Sequence, residues 1–284
     1  YRPVLKLAAD TVRESLRNAP RPFAMIAGLV RPPDQAIAEA EIARSLGYHA
    51  GLLSLGALTR VSDEQLVAHC REVAQVIPLM GFYLQPAVGG RVLSYDFWRA
   101  FAEIENVWAV KVAPFNRYWT QDVIRALADA GRDDIALYTG NDDSIVNDLL
   151  TPFPVRAHGT MQVRWFDGGL LGQWAMWTER AVDLLARCKA QRAAGTVDLE
   201  LLEEGAALTD ANGAIFDAAH SFSGCIPGIQ EVLRRQGLLA SAACLEQKER
   251  LSQGQGEEID RIYDQYPALR DDEFVERNLD RWIG

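Results

Sequence analysis

Lysine is scarce in this sequence. Lys6, Lys111, Lys189 and Lys248 are the only four, and every other basic position is arginine. Cysteine and histidine are equally sparse. Cys70, Cys188, Cys225 and Cys244 are scattered with no C-x-x-C pair, which argues against a disulfide framework or a zinc knuckle. The expectation is reduced thiols in a cytoplasmic protein. His49, His69, His158 and His220 lie far apart without ligand spacing, so neither a metal site nor a cofactor is expected. Positive charge is short as well: 29 basic against 39 acidic residues leave a net charge of −10. That excludes the basic field that would attract nucleic acid or an anionic membrane surface. No apolar run is long enough to span a bilayer, and no signal-peptide pattern opens the sequence. Neither a G-x-G-x-x-G nor a G-x-x-x-x-G-K-[ST] phosphate loop occurs, which weighs against a nucleotide binder.

What is present is an alternation. With 49% hydrophobic and 24% charged residues, the 284 residues suit a globular α/β protein with a sizeable core. Short apolar runs alternate with segments of period near 3.6. "PFAMIAGLV" (22–30) reads as a strand and "DQAIAEAEIARSLG" (34–47) as a helix. "AGLLSLG" (50–56) is the next strand. The helix after it, 62–76, opens on Ser62 with Gln65 three residues on, a capping box. "IPLMGFYLQP", "VWAVKVA" and "DIALYTG" continue the strands, each followed by a helical segment. "VRAHGTMQ" (155–162) reads as the last strand, followed by a long helix over 173–194. The segments after Thr196 read as packed helices without a strand. Strict alternation implies parallel pairing with right-handed crossovers. Six βα units are countable, whereas a closed barrel takes eight. Either two upstream units are missing from a (β/α)8-type barrel, or the six strands form an open doubly wound sheet. The expected division is a (β/α) barrel over 1–195 and a C-terminal helical domain over 196–284.

One lysine is out of place. Lys111 lies within "VWAVKVA", between Val110 and Val112, in a run that reads as a strand buried on both faces. A buried ammonium is costly, and a lysine, unlike an arginine, can relieve that cost by losing its proton. A neutral amine at a strand end is a nucleophile toward carbonyls and forms a Schiff base. The plainer alternative is a side chain that reaches past the strand end to a surface carboxylate. Tyr83 ends the preceding strand. Adjacent strand ends of a barrel share one mouth, so a phenol and an amine would meet there, and the phenol would shuttle protons.

"FYLQPAVGG" with Tyr83, then "VKVAP" with Lys111, 111 − 83 = 28 residues later, resembles the dihydrodipicolinate synthase/N-acetylneuraminate lyase family. In that family a strand-five tyrosine precedes the strand-six Schiff-base lysine by the same interval. "PFAMIAG", "YTGNDDSIV" and "IPGIQEVLRRQGLL" resemble its third strand, its seventh strand and a helix of its C-terminal domain. The resemblance implies a TIM (β/α)8-type barrel, lacking its first two βα units here, plus a C-terminal helical domain. It also implies a homo-oligomer, tetramer or dimer, and lyase chemistry (aldolase or dehydratase) on a small 2-oxo acid or sugar-acid derivative. Lys111 would be the nucleophile and Tyr83 the proton carrier.

The sequence also departs from the family. The G-x-T-G-E loop that cradles the substrate carboxylate is absent. "SLGALTR", with Leu58 and Thr59, stands where a relay tyrosine is usual. Val88 stands where the synthases carry an arginine, with Arg91 as a nearby substitute, and Leu84 where asparagine is common. After Lys111, Asn116 or Arg117 would face a polar substrate or belong to a solvated loop. Gly140, Asn141 and Asp142 end the next strand and would bind hydroxyls, or Asp142 or Asp143 would cap a helix. Gly168 and Gly169 suggest a close backbone approach or a flexible turn; Trp165 and Phe166 suggest packing; His158 suggests a core histidine. The competing function is a catalytically silent barrel that binds a small ligand or acts as a scaffold.

Overall fold

The computed structural model describes residues 1–30 and 33–283. It divides into two compact units. The first is Tyr1–Tyr138 with Phe153–Arg164, and the second is Thr139–Pro152 with Trp165–Gly284.

In chain order the first unit runs α1 (Arg2–Asn18), β1 (Ile26–Leu29), α2 (Pro33–Ser45), β2 (Ala50–Leu53), α3 (Asp63–Ala74), β3 (Leu79–Leu84), α4 (Tyr95–Ala102), β4 (Val107–Ala113) and α5 (Arg117–Asp129). The strand β5 (Ala136–Thr139) begins in the first unit and ends in the second. The capping box expected at the start of α3 is present, with the Ser62 hydroxyl accepting from Gln65 N and the Gln65 side chain from Ser62 N. β1 to β4 pair in parallel, each with its sequence neighbour, as the alternation implied. The helix-facing side chains of these strands form the core: Leu29, Leu53, Val110 and Val112 are all buried.

Two elements differ from the sequence reading. The segment 155–162 is not a last parallel strand but the middle of an antiparallel hairpin, β6 (Phe153–Ala157) and β7 (Thr160–Arg164), which forms its own two-stranded sheet. Its turn residues, His158 (φ 49°) and Gly159 (φ 82°), both have positive φ. Positive φ at both central residues is the hairpin geometry that matches strand twist. His158 is therefore an exposed turn residue rather than a core histidine. The edge partner of β5 is instead β8 (Gly168–Gly169). The strand order is β1-β2-β3-β4-β5-β8, so among the described residues the sheet has two free edges and does not close into a barrel.

The second unit adds the helices α6 (Ile145–Leu150), α7 (Thr178–Ala194), α8 (Leu199–Ile215), α9 (Cys225–Arg235), α10 (Gln255–Gln265) and α11 (Asp272–Ile283). α8 packs on α6 and α10. Gly228 lets α9 approach the end of α8; a Cβ there would sit 1.8 Å from the Ile215 carbonyl oxygen. Glu231 on α9 is buried between two arginines, accepting from Arg234 Nε at 2.7 Å and Arg235 Nε at 2.9 Å. The Arg234 hydrogen bonds, acting against burial and joined by Arg235, hold its carboxyl down at about 2. A carboxylate depressed in the folded state adds stability above the ordinary glutamate range and loses it as pH falls through the folded value. Glu231→Gln will therefore lower the melting temperature at pH 7. The gap to wild type will close between about pH 4.5 and pH 2, read by circular dichroism melts across that range. No helix among the described residues is long and apolar enough to cross a membrane.

Candidate functional site

Side chains alternate across a strand, so pairing register decides which residues share a face. On β3, Gly81 and Tyr83 face the helices. A Cβ on Gly81 would meet the Phe101 ring at 2.9 Å and Trp98 at 3.2 Å, both on α4. Met80, Phe82 and Leu84 take the opposite face. β4 is aligned so that Met80 stands beside Ala109, Phe82 beside Lys111 and Leu84 beside Ala113. β2 and β1 extend the same face with Leu52 beside Met80 and Gly28 beside Leu52. Lys111 is thus the one ionisable residue among these positions of β1 to β4, with apolar neighbours on β3. Its ammonium lies over the Phe82 ring, 4.5 Å from the centroid, within the range of a cation–π contact. The side chain is neither solvent-swept nor sealed off.

Tyr83 is elsewhere, which corrects the expected meeting of phenol and amine. It pairs with Val112 and is completely buried. Its ring packs against Trp98 at 5.4 Å and stacks on Trp119 at 6.0 Å. Its hydroxyl donates to the Leu93 carbonyl and accepts from Leu93 N, each at 3.2 Å. Burial pushes the phenol up to about 12, with the Leu93 hydrogen bond opposing and Asp122 adding to the shift. It stays protonated and committed to the backbone.

The cause is a β-bulge. Leu79 pairs with Val107, an offset of 28, and continuing that offset would set Tyr83 beside Lys111. The register shifts between Leu79 and Met80, which then pairs with Ala109, leaving Trp108 as the extra residue. Beyond it every pair is offset by 29. A one-residue slip moves each side chain to the other face, and Phe82 takes the place expected for Tyr83. Phe82 was missed in the sequence for that reason. Trp108, half exposed within an otherwise buried strand, is the structural mark of the bulge.

The loop after β4 carries two more candidates. Phe115 is held at φ 50°, an uncommon conformation for a bulky side chain, and turns the chain sharply into α5. Asn116 caps that helix, its Oδ1 accepting from Tyr118 N at 3.0 Å and Trp119 N at 3.2 Å. Arg117 is exposed at the first helical position, its guanidinium 5.7 Å from the Phe153 ring. After β3, Arg91 is not aimed at a ligand: it donates to the Leu58 carbonyl and, at 3.2 Å, to that of Val61. Gly56 lets these two loops close up, since a Cβ on it would fall 2.0 Å from Gly89 O, and Gly90 lets the second loop fold back on the end of β3, where a Cβ would fall 1.9 Å from Leu84 O.

In the second unit, Gly140, Asn141 and Asp142 follow β5 and are all buried. The Asn141 amide donates to Asp148 Oδ2 at 2.9 Å, and the Thr139 hydroxyl donates to the same oxygen at 2.5 Å. Asp142 Oδ1 accepts from Gln173 N at 2.9 Å, and its carbonyl accepts from Asn212 Nδ2 at 2.8 Å. Both side chains therefore order the turn after β5. Asp148→Ala would strand two buried donors, and a loss of roughly 2–4 kcal/mol is expected in urea unfolding. Among the described residues no group of three or more His, Cys, Asp or Glu could hold a metal ion.

An amine on an apolar, partly shielded strand face is suited to covalent capture of a carbonyl. The comparisons with known proteins bear on the fold. By sequence, the chain matches no family model and no curated protein. By structure, it resembles dihydrodipicolinate synthase from Acinetobacter baumannii, solved with pyruvate, at 19% identity and a TM-score of 0.70, over 92% of this chain and 80% of that one. YagE from E. coli K12, a prophage protein of the dihydrodipicolinic acid synthase family in complex with pyruvate, matches at 16% identity and a TM-score of 0.70, over 94% and 80% of the two chains. N-acetylneuraminate lyase from Fusobacterium nucleatum, complexed with pyruvate, matches at 16% identity and a TM-score of 0.67, over 93% and 78%. The chain thus shares the fold of these enzymes.

Proposed function

We propose that this chain is a Schiff-base-forming lyase, an aldolase or dehydratase, that acts on a 2-oxo acid or sugar-acid derivative through an enamine on Lys111. The observation that carries the reading is the placement of Lys111 as the one ionisable side chain among the positions of β1 to β4 that share its face, with its ammonium over the Phe82 ring. Support comes from enzymes of the same fold that were solved in complex with pyruvate. On this reading residues 1–195 carry the catalytic part and 196–284 a helical domain, in a homo-oligomer. Lys111 is the nucleophile, and Arg117, at an exposed helix start, meets the substrate's anionic group. Asn116 fixes the turn after the Lys111 strand by capping α5, while Gly140, Asn141 and Asp142, expected from the sequence to bind substrate, belong to a turn ordered by buried hydrogen bonds.

The test is reductive trapping. Borohydride added with pyruvate, or with a panel of 2-oxo acids, is expected to leave a covalent adduct on the tryptic peptide containing Lys111. Absence of any adduct across the panel would overturn the reading. The register also favours a second reading, a catalytically silent ligand binder, because Phe82 has no hydroxyl to move protons. That reading expects ligand-induced thermal stabilisation without turnover, unchanged in Lys111→Arg.

A further inference from the structure

The Phe82 ring has no assigned part in this chemistry, yet it stands on β3 beside Lys111 with its centroid 4.5 Å from the reacting nitrogen. We infer that Phe82 is a specificity-determining residue, and that it selects carbonyl substrates carrying a planar, conjugated apolar group, alkenyl or aryl, next to the carbon that condenses with Lys111. The inference rests on the Schiff-base reading above and names its substrate class.

The lone pair of the neutral Lys111 amine forms a bond to the carbonyl carbon. The carbonyl oxygen takes up the two amine protons and leaves as water, and one proton from solvent completes the cationic iminium. This cation is flat and is attached to a nitrogen already placed 4.5 Å from the Phe82 centroid. A ring face attracts such a cation through its quadrupole, and a conjugated substituent extends the plane so that it can stack on the same ring. The remaining positions on this face reinforce the choice. Leu84 and Ala113 lie toward the C-terminal ends of β3 and β4, with Met80, Ala109 and Leu52 below. None offers a hydrogen bond from its side chain. A polyhydroxylated chain laid against them would bury hydroxyls without side-chain partners, whereas an alkenyl or aryl group would bury only carbon.

The experiment measures borohydride trapping rates at Lys111 with two probes, benzylidenepyruvate and 2-keto-3-deoxygluconate, and with pyruvate as reference. Wild type is expected to trap benzylidenepyruvate at least about tenfold faster than the polyol, the size of combined stacking and cation–π terms. Phe82→Leu keeps apolar bulk but removes the ring, and its ratio is expected to fall toward one. Phe82→Tyr keeps the ring and is expected to keep the ratio. Circular dichroism of both variants confirms that each is folded. If wild type traps pyruvate but shows no preference, or if Phe82→Leu keeps the preference, the inference is overturned while the Schiff-base reading stands. If wild type traps no carbonyl at all, both fall together.

Discussion

If Lys111 is the proposed nucleophile, Lys111→Met is expected to lower turnover and borohydride trapping by roughly 10³-fold or more, as removal of a covalent nucleophile does. The melting temperature is expected to stay within a few degrees of wild type. Methionine has similar length and suits a face made by Phe82, Leu84, Ala109 and Ala113. Lys111→Arg sharpens the test. A guanidinium can still lie over the Phe82 ring, but it does not give up its proton and cannot attack a carbonyl. Its trapping is expected to be as low as that of the methionine variant. Trapping retained in either would remove Lys111 from the chemistry.

Tyr83 provides the second large effect, and it falls on stability. Tyr83→Ala empties a fully buried site between Trp98 and Trp119, and a loss of about 3–5 kcal/mol is expected in denaturant unfolding. Tyr83→Phe keeps the ring but leaves Leu93 N and O without their shared partner, and about 1–3 kcal/mol is expected there. Neither change is expected to lower the rate of trapping at Lys111 per folded molecule. A phenol that moved protons in the reaction would behave in the opposite way: Tyr83→Phe would barely unfold the protein and would slow turnover by about 10²–10⁴-fold.

Much of the fold was legible because period and capping are local. Val107–Ala113 forms a strand with the bounds read from the sequence. The Ser62–Gln65 box starts its helix, and the regular elements described after Thr196 are helices, with no strand among the described residues. The hairpin over 153–164 was misread because its two halves also fit one apolar run. The signal lay in His158-Gly159, a short pair able to take positive φ in a two-residue turn. The short edge strand at Gly168–Gly169 carries no side-chain pattern at all and is defined only by its backbone pairing. In the candidate site, Lys111 was legible from its neighbours alone, since a lone lysine in a valine-rich strand needs a reason. Its partner was not. Nothing in "ENVWAVKVA" announces that Trp108 is an extra residue, and the pairing offset changes from 28 to 29 at that point. Asn116, Asn141 and Asp142 were rightly seen as polar residues at strand ends. Which of their groups are already committed depends on Tyr118, Asp148 and Gln173, partners fixed only by the folded chain.

The placement of Lys111 against Phe82 can be measured directly by selectively labelled NMR, with four lysines making assignment simple. Nuclear Overhauser contacts are expected from the Lys111 ε-methylene protons to the Phe82 ring, with upfield ring-current shifts, and none to Tyr83. Contacts to the Tyr83 ring in place of Phe82 would contradict that placement.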